Sequence, residues 1–447
     1  MTLLHCKSWK KWLLAIVVIV AALGVLFWWF QIRDVPLRIS PETTRITEPR
    51  TADGRIDYWR AYEDKYEPPE TKTDQNGYRL LVETMLMPIN KPNNKKDEEA
   101  VQKSQRYQRL YQKLDLPVDL EPKYEFKFAV QIVCDDFRAQ GIEPNYGTVE
   151  EQLTRPWTLE NFPMLRDWIN DKEPLLSVVA EAVRKPFFII PVVRCSDDYW
   201  IGSPVDGDEY QRFRSLGRAF LYRFHYYLGI GDIDRAIDDL VTCSLLGRVL
   251  MQQNDPSWAL VGITIEGFAQ EMDIAANPEH PPTRAQYERL LHELENLPTL
   301  PKADEVLAAG RFGKLDLLQL FARGANVGKY TDLVKLVLGD QSGSQGRYLG
   351  YDWNVLFQEA NRYYDTLEEE KEFEPVGNPF ESPWFSLKSR EKRSLLAADA
   401  LFCYPPEVVM ILNETSQQKS LRQSFTRHEQ RAEEQKNKIR QQMSELP

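Results

Sequence analysis

The chain has 447 residues, 43% hydrophobic and 28% charged, enough to bury a substantial core and too apolar to be disordered as a whole. Its formal charge of −11 splits into +3 from Lys7, Lys10 and Lys11 within residues 1–30 and −14 over residues 31–447. So acidic a remainder is a poor partner for nucleic acid or for anionic lipid headgroups, and five cysteines do not make a disulfide scaffold.

The first element is Trp12–Phe30, WLLAIVVIVAALGVLFWWF, which carries no charge. Its apolar run from Leu13 to Phe30 is about 27 Å long as a helix, close to the hydrocarbon thickness of a bilayer. The residues expected to meet lipid are Trp12, Leu13, Ile16, Ile19, Leu23, Leu26, Phe27, Trp28, Trp29 and Phe30. Tryptophans stand at both ends, where amphipathic rings favour the interface. The three lysines precede the span and Arg33-Asp34 follows it. The positive-inside rule therefore places residues 1–11 in the cytoplasm and the domain after the span in an extracytoplasmic, periplasmic space. The run is longer than a usual signal-peptide core, and no small-x-small site follows it, so an uncleaved signal anchor is expected.

Residues 31–75 are rich in Pro, Thr, Glu, Asp and Arg and read as a polar linker, with a turn at Asp53-Gly54 and Ile56, Tyr58 and Trp59 able to dock. Residues 76–205 form an N-terminal helical region. After the punctuation of Asn76-Gly77, helices are expected at 78–87, 96–114 and about 123–140, then as two short pieces at 160–171 and 173–184. Phe187–Val193 is a compact apolar run whose Pro191 argues against a central strand.

Residues 206–412 are helical-repeat-like. Phe213, Leu216, Phe220, Leu221, Phe224 and Leu228 recur at helical spacing. A turn at Gly229–Asp232 leads into Ile233, Ala236, Ile237, Leu240, Cys243, Leu246 and Leu250. Phe220, Tyr227, Ala236 and Leu240 fall at the large, aromatic, small and large positions of a tetratricopeptide hairpin, which residues 209–251 resemble. Phe224 and Arg248 stand where that pattern has glycine and proline. Further helices are expected at 258–276, 283–297 with Thr283 as N-cap, 303–322, 352–371 and 389–403, with a loop over 339–350. Residues 413–447 form a polar C-terminal helix or tail; Leu421, Phe425, Ala432, Ile439 and Met443 are too sparse for a coiled-coil seam, so a solvated helix is expected. The pattern of anchor, DGRIDY (Asp53–Tyr58), NGYRLLVE (Asn76–Glu83) and DWNVLFQEANRYYD (Asp352–Asp365) is similar to uncharacterised planctomycete-type membrane-anchored helical proteins, a resemblance that implies no activity.

Catalytic and metal motifs are scarce. The histidines His5, His225, His280, His292 and His428 form no metal-binding spacing, no Gly-x-Ser-x-Gly elbow occurs, and the glycines of 339–346 lack the lysine of a phosphate loop. No metal and no cofactor is expected. Asp197-Asp198 and Asp206–Glu209 lack calcium-loop spacing, and helix capping accounts for the latter. Tyr199 and Trp200, in a polar loop, are an interaction candidate or fold back on the core. Glu266, Glu271 and Asp273 sit on an apolar helix; Arg311 and Arg323 are candidate partners. Cys134, Cys195, Cys243 and Cys403 could bridge in three ways, with Cys243 favoured as a buried thiol. These readings converge on an all-α protein: a transmembrane helix, then antiparallel helix pairs in a solenoid-like array serving a protein partner at the cell envelope. The rival reading is an anchored hydrolase using carboxylates in a groove between helices.

Overall fold

The computed structural model describes residues 4–85, 98–117, 128–194, 207–322, 352–368, 394 and 414–446. Among these the regular structure is helical, with no β-strand and only isolated bridges. The helices are α1 Leu4–Phe27, α2 Tyr58–Tyr66, α3 Gly77–Met85, α4 Glu98–Lys113, α5 Ala129–Ala139, α6 Tyr146–Leu153, α7 Arg166–Ala182 and α8 Gly207–Gly229. They continue as α9 Ile233–Met251, α10 Pro256–Glu271, α11 Arg284–Glu295, α12 Ala303–Ala308, α13 Gly310–Ala322, α14 Trp353–Glu368 and α15 Glu414–Ser444. Two compact units emerge, each discontinuous in sequence: unit 1 holds 1–58 and 314–417, unit 2 holds 59–313 and 418–447.

Unit 1 begins with α1, extended by a π-helical turn over Trp28–Ile32. Trp12–Phe30 is long and apolar enough to cross a membrane, with mean hydropathy 2.8 and none of it buried. A helix apolar on every side needs an apolar surround. The segment after this helix is no free linker, because Thr43, Thr44, Ile56 and Tyr58 are buried. Side-chain amides hold it by its backbone. Asn354 on α14 accepts from Arg38 N at 2.7 Å and donates to Pro36 O at 3.1 Å. Asn361 donates to Thr43 O, and Gln319 on α13 bonds both Ile56 N (3.1 Å) and Ile56 O (2.9 Å). A proline-bearing extended segment still owes its backbone groups partners, and carboxamides supply donor and acceptor together. Leu315, Leu318, Trp353, Phe357, Tyr363 and Tyr364 are buried in the same unit.

Unit 2 is built on α8, α9 and α10. Phe220, Tyr227, Ala236 and Leu240 are all buried in its core. Helices α9 and α10 cross where neither has a side chain: a Cβ on Gly262 would lie 2.5 Å from Gly247 O, and one on Gly247 would lie 2.6 Å from Glu266 Cβ. That contact brings Arg248 and Glu266 together. Asp255 caps α10 through Ser257 N, with Pro256 in the first turn, and Thr283 and Gln286 close a capping box on α11.

Several elements differ from expectation. The two short helices over 160–184 are one, α7, which runs through Pro174 because Trp168, Ile169, Leu175, Leu176, Val179 and Ala182 share one buried face. Packing outweighs the lost bond and ring clash of an interior proline. The expected 303–322 helix is two pieces, α12 and α13, and α10 stops at Glu271. The largest correction is α15. Leu421, Phe425, His428, Ala432 and Ile439 are buried, so the helix docks on unit 2 and is not solvated all round. The loop 339–350 and the helix at 389–403, Ser394 apart, lie outside the described residues.

Candidate interaction site

The anchor residues from Trp12 to Phe27 lie on α1 and Trp28, Trp29 and Phe30 on the π turn, all exposed. Arg33 follows with its guanidinium 4.3 Å from the Trp29 ring centroid. Tyr199, Trp200, Cys195, Cys403 and the Asp197-Asp198 pair lie outside the described residues. Cys134 and Cys243 are free and buried. Burial raises the Cys243 thiol pKa well above its usual value, and Sγ donates to Ile265 O.

The most directed polar chemistry in unit 2 surrounds the apolar run at Phe187–Val193. The run is extended, and side chains from four separate places grip its backbone. Asn76, just before α3, accepts from Ile189 N at 2.9 Å and donates to Ile189 O at 3.0 Å. Gln253, just past α9, accepts from Ile190 N at 3.1 Å and donates to Phe188 O at 2.8 Å. Glu67, just past α2, accepts from Val192 N at 2.7 Å, while Lys113, ending α4, donates to Val192 O and pairs with Glu67 at 2.7 Å. Burial raises the Glu67 carboxyl pKa, with Lys113 pulling the other way. Arg109 donates to Arg194 O, and Gly77 N bonds Phe187 O at 2.8 Å. Pro191, which has no N–H to place, is buried; Phe188, Ile190 and Val193 pack partly buried against the core, while Phe187, Ile189 and Val192 are left partly accessible. The result is a ledge: a pinned backbone presenting apolar side chains.

Sequence reasoning takes Asn76 only as a turn residue and passes over Gln253, Glu67, Lys113 and Arg109. One signal is present. An apolar run that proline excludes from a sheet must find its backbone partners among side chains.

The buried carboxylates are engaged. Arg223 bonds Asp239 through Nε (2.9 Å) and Nη2 (2.6 Å) and reaches Glu173 through Nη1 (2.7 Å), where Tyr227 Oη also donates at 3.0 Å. Burial pushes the Asp239 carboxyl up to about 6, with Arg223 opposing. Of the partners expected for Glu266, Arg323 lies outside the described residues; the structure places Arg248 Nε 2.7 Å from Oε2 and His428 Nε2 2.9 Å from the same oxygen. His428 thereby ties α15 to α10 and α9. Asp273 meets Lys438 at 2.7 Å. Burial raises the Asp273 pKa, but the bonds from Lys438 and the Ala275 amide outweigh it and the net shift is downward. Glu209 accepts from Tyr78 Oη and sits 3.5 Å from Arg106. His225 is buried with Nδ1 unbonded, and burial lowers its pKa to about 4. Among the described residues no cluster of His, Cys, Asp and Glu could hold a metal ion.

Described residues of unit 2 line cavities of about 320 Å³ at two places. One lies along α15, where Lys438 and Asp273 already pair. The other has Phe128, Tyr146, Trp168 and Tyr222 as walls. Its carboxylate, Glu150, accepts from Tyr222 Oη at 3.2 Å and lies 3.4 Å from Arg218. Searches against protein-family models, curated proteins and solved structures return no match for the chain.

Proposed function

We propose that this is a single-pass membrane protein, its N-terminus in the cytoplasm, whose helical units lie outside the membrane and hold a protein partner at the cell envelope. In this reading α8 and α9 are an antiparallel pair and unit 2 is a short solenoid-like stack. The observation that carries the reading is the ledge at Phe187–Val193. Phe187, Ile189 and Val192 keep apolar side chains partly accessible on a backbone that is pinned from four sides, and such a fixed apolar edge suits a protein partner. The engaged state of Asp239, Glu209 and Glu266 supports binding over acid–base chemistry, which needs a carboxyl able to reach a ligand.

Chemical crosslinking in native membranes tests this. Ile189→Lys puts a charge on the ledge while leaving the clamp, which bonds the Ile189 backbone. A defined crosslinked species with the wild-type chain, lost in Ile189→Lys, is the expected result. The same species at the same yield in both, or none in either, contradicts the proposal.

A further inference from the structure

We propose that unit 1 rests directly on the phospholipid headgroups, with Arg33 and Arg38 on lipid phosphates, and is not lifted away on a stalk. The inference rests on the membrane-spanning reading of α1 and adds to it where the next domain must lie and what it touches.

The first argument is length. The π turn that ends the span closes at Ile32, and Val35 already bridges Asp352 in unit 1, with Trp353 N bonded to Val35 O. Only Arg33 and Asp34 lie between. Three steps of extended chain reach at most about 11 Å. The polar layer on each side of a bilayer is roughly 5–8 Å thick, half the difference between its total and hydrocarbon thicknesses. The bridge therefore lies in the headgroup layer or at its outer edge. No slack follows it, since Asn354 grips Arg38 N and Pro36 O.

The second argument is charge placement. Arg33 is exposed and lies over Trp29, a ring at the depth where tryptophan marks the interface. Arg38 is exposed, its side chain forms no ion pair among the described residues, and its backbone is held by Asn354. The nearest acid in sequence, Asp34, is half-buried and already engaged. Farther along, Arg45 and Arg55 are committed to Asp365 and Asp53. Guanidinium is well suited to phosphate oxygens, which it can bind through two parallel N–H groups. The strong negative charge of the remaining chain does not oppose this contact, because charges beyond a Debye length of about 8 Å are largely screened at physiological salt.

The test uses the full chain in maltoside micelles, which contain no phosphate, titrated with phosphatidylglycerol and read by native mass spectrometry. A saturable lipid adduct is expected. Arg33→Gln/Arg38→Gln should weaken it about thirtyfold, taking each arginine near the surface as worth roughly a fivefold factor. Neither side chain joins the clamp, and an unchanged circular dichroism spectrum would show that the fold is kept. Equal lipid affinity in wild type and double variant overturns the proposal. So does displacement of the lipid by millimolar inorganic phosphate, which marks a free-anion site. Loss of the anchor reading looks different: the wild-type chain would stay soluble without detergent and fail to enter micelles at all.

Discussion

Replacing Glu266 by alanine removes the one carboxylate shared by Arg248 and His428, which are 7% and 3% exposed. Arg248 keeps Pro298 O at 3.1 Å but loses its counter-charge, and His428 is left with Gln270. Breaking a buried pair from one side costs about 3–5 kcal/mol, because the surviving charge stays buried and uncompensated. That is a large part of a typical domain's stability. Since α15 reaches α10 through His428, the loss should concentrate there. Hydrogen exchange on the full chain in detergent should show the amides of 421–439 opening about 10²–10³-fold more often, while those around Asn354 in unit 1 hardly change. Adding Arg248→Met should recover part of the loss, since the orphaned charge is then gone. A cost under about 1 kcal/mol, the value of an exposed pair, would refute the reasoning.

Acid should loosen unit 2 through His225. Its pKa falls from 6.5 to about 4 on folding, so the unfolded chain binds the extra proton. The associated stability is complete above 6.5 and drains away as pH falls toward 4. The loss reaches about 2 kcal/mol by pH 5, and His225→Phe should flatten that part of a denaturation-versus-pH profile. Gly262→Val should destabilise by at least about 1–3 kcal/mol in denaturant titration, since its Cβ has no space against Gly247 O. Gln253→Leu leaves Ile190 N and Phe188 O without their partner and should speed exchange of the Ile190 amide at least about tenfold, for a penalty of about 1–3 kcal/mol per unmet group. Cys134 and Cys243 should resist a thiol reagent until the chain is unfolded, being free but buried.

The helices were legible where one face is continuously apolar or a cap is local. The span at Trp12–Phe30, the periodicity of α8 and α9 and the Thr283 box belong to this class, and each needs only neighbours in sequence. What the sequence does not display depends on polar residues taking core positions. Along α15 the docked positions 421, 425, 428, 432, 435 and 439 alternate by four and three, a complete seam. Its apolar members alone leave gaps at His428 and Gln435. The structure fills them with the close approach of His428 to Glu266 and a bond from Gln435 to Ala269 O. The same blindness hid the clamp: Asn76, Gln253, Asn354 and Gln319 read as ordinary polar residues until the extended segments they hold are in place. The close crossing at Gly247 and Gly262 is likewise a relation between two helices, and neither helix shows it alone.

The central claim is that Trp12–Phe30 crosses a membrane and puts the two helical units outside. A reporter enzyme active only beyond the cytoplasm, fused after Pro447, tests it most directly. The account predicts an active reporter in intact cells, with a second fusion before Lys7, carrying a reporter active only in the cytoplasm, also active. A silent C-terminal reporter in cells that make the full-length fusion would contradict it.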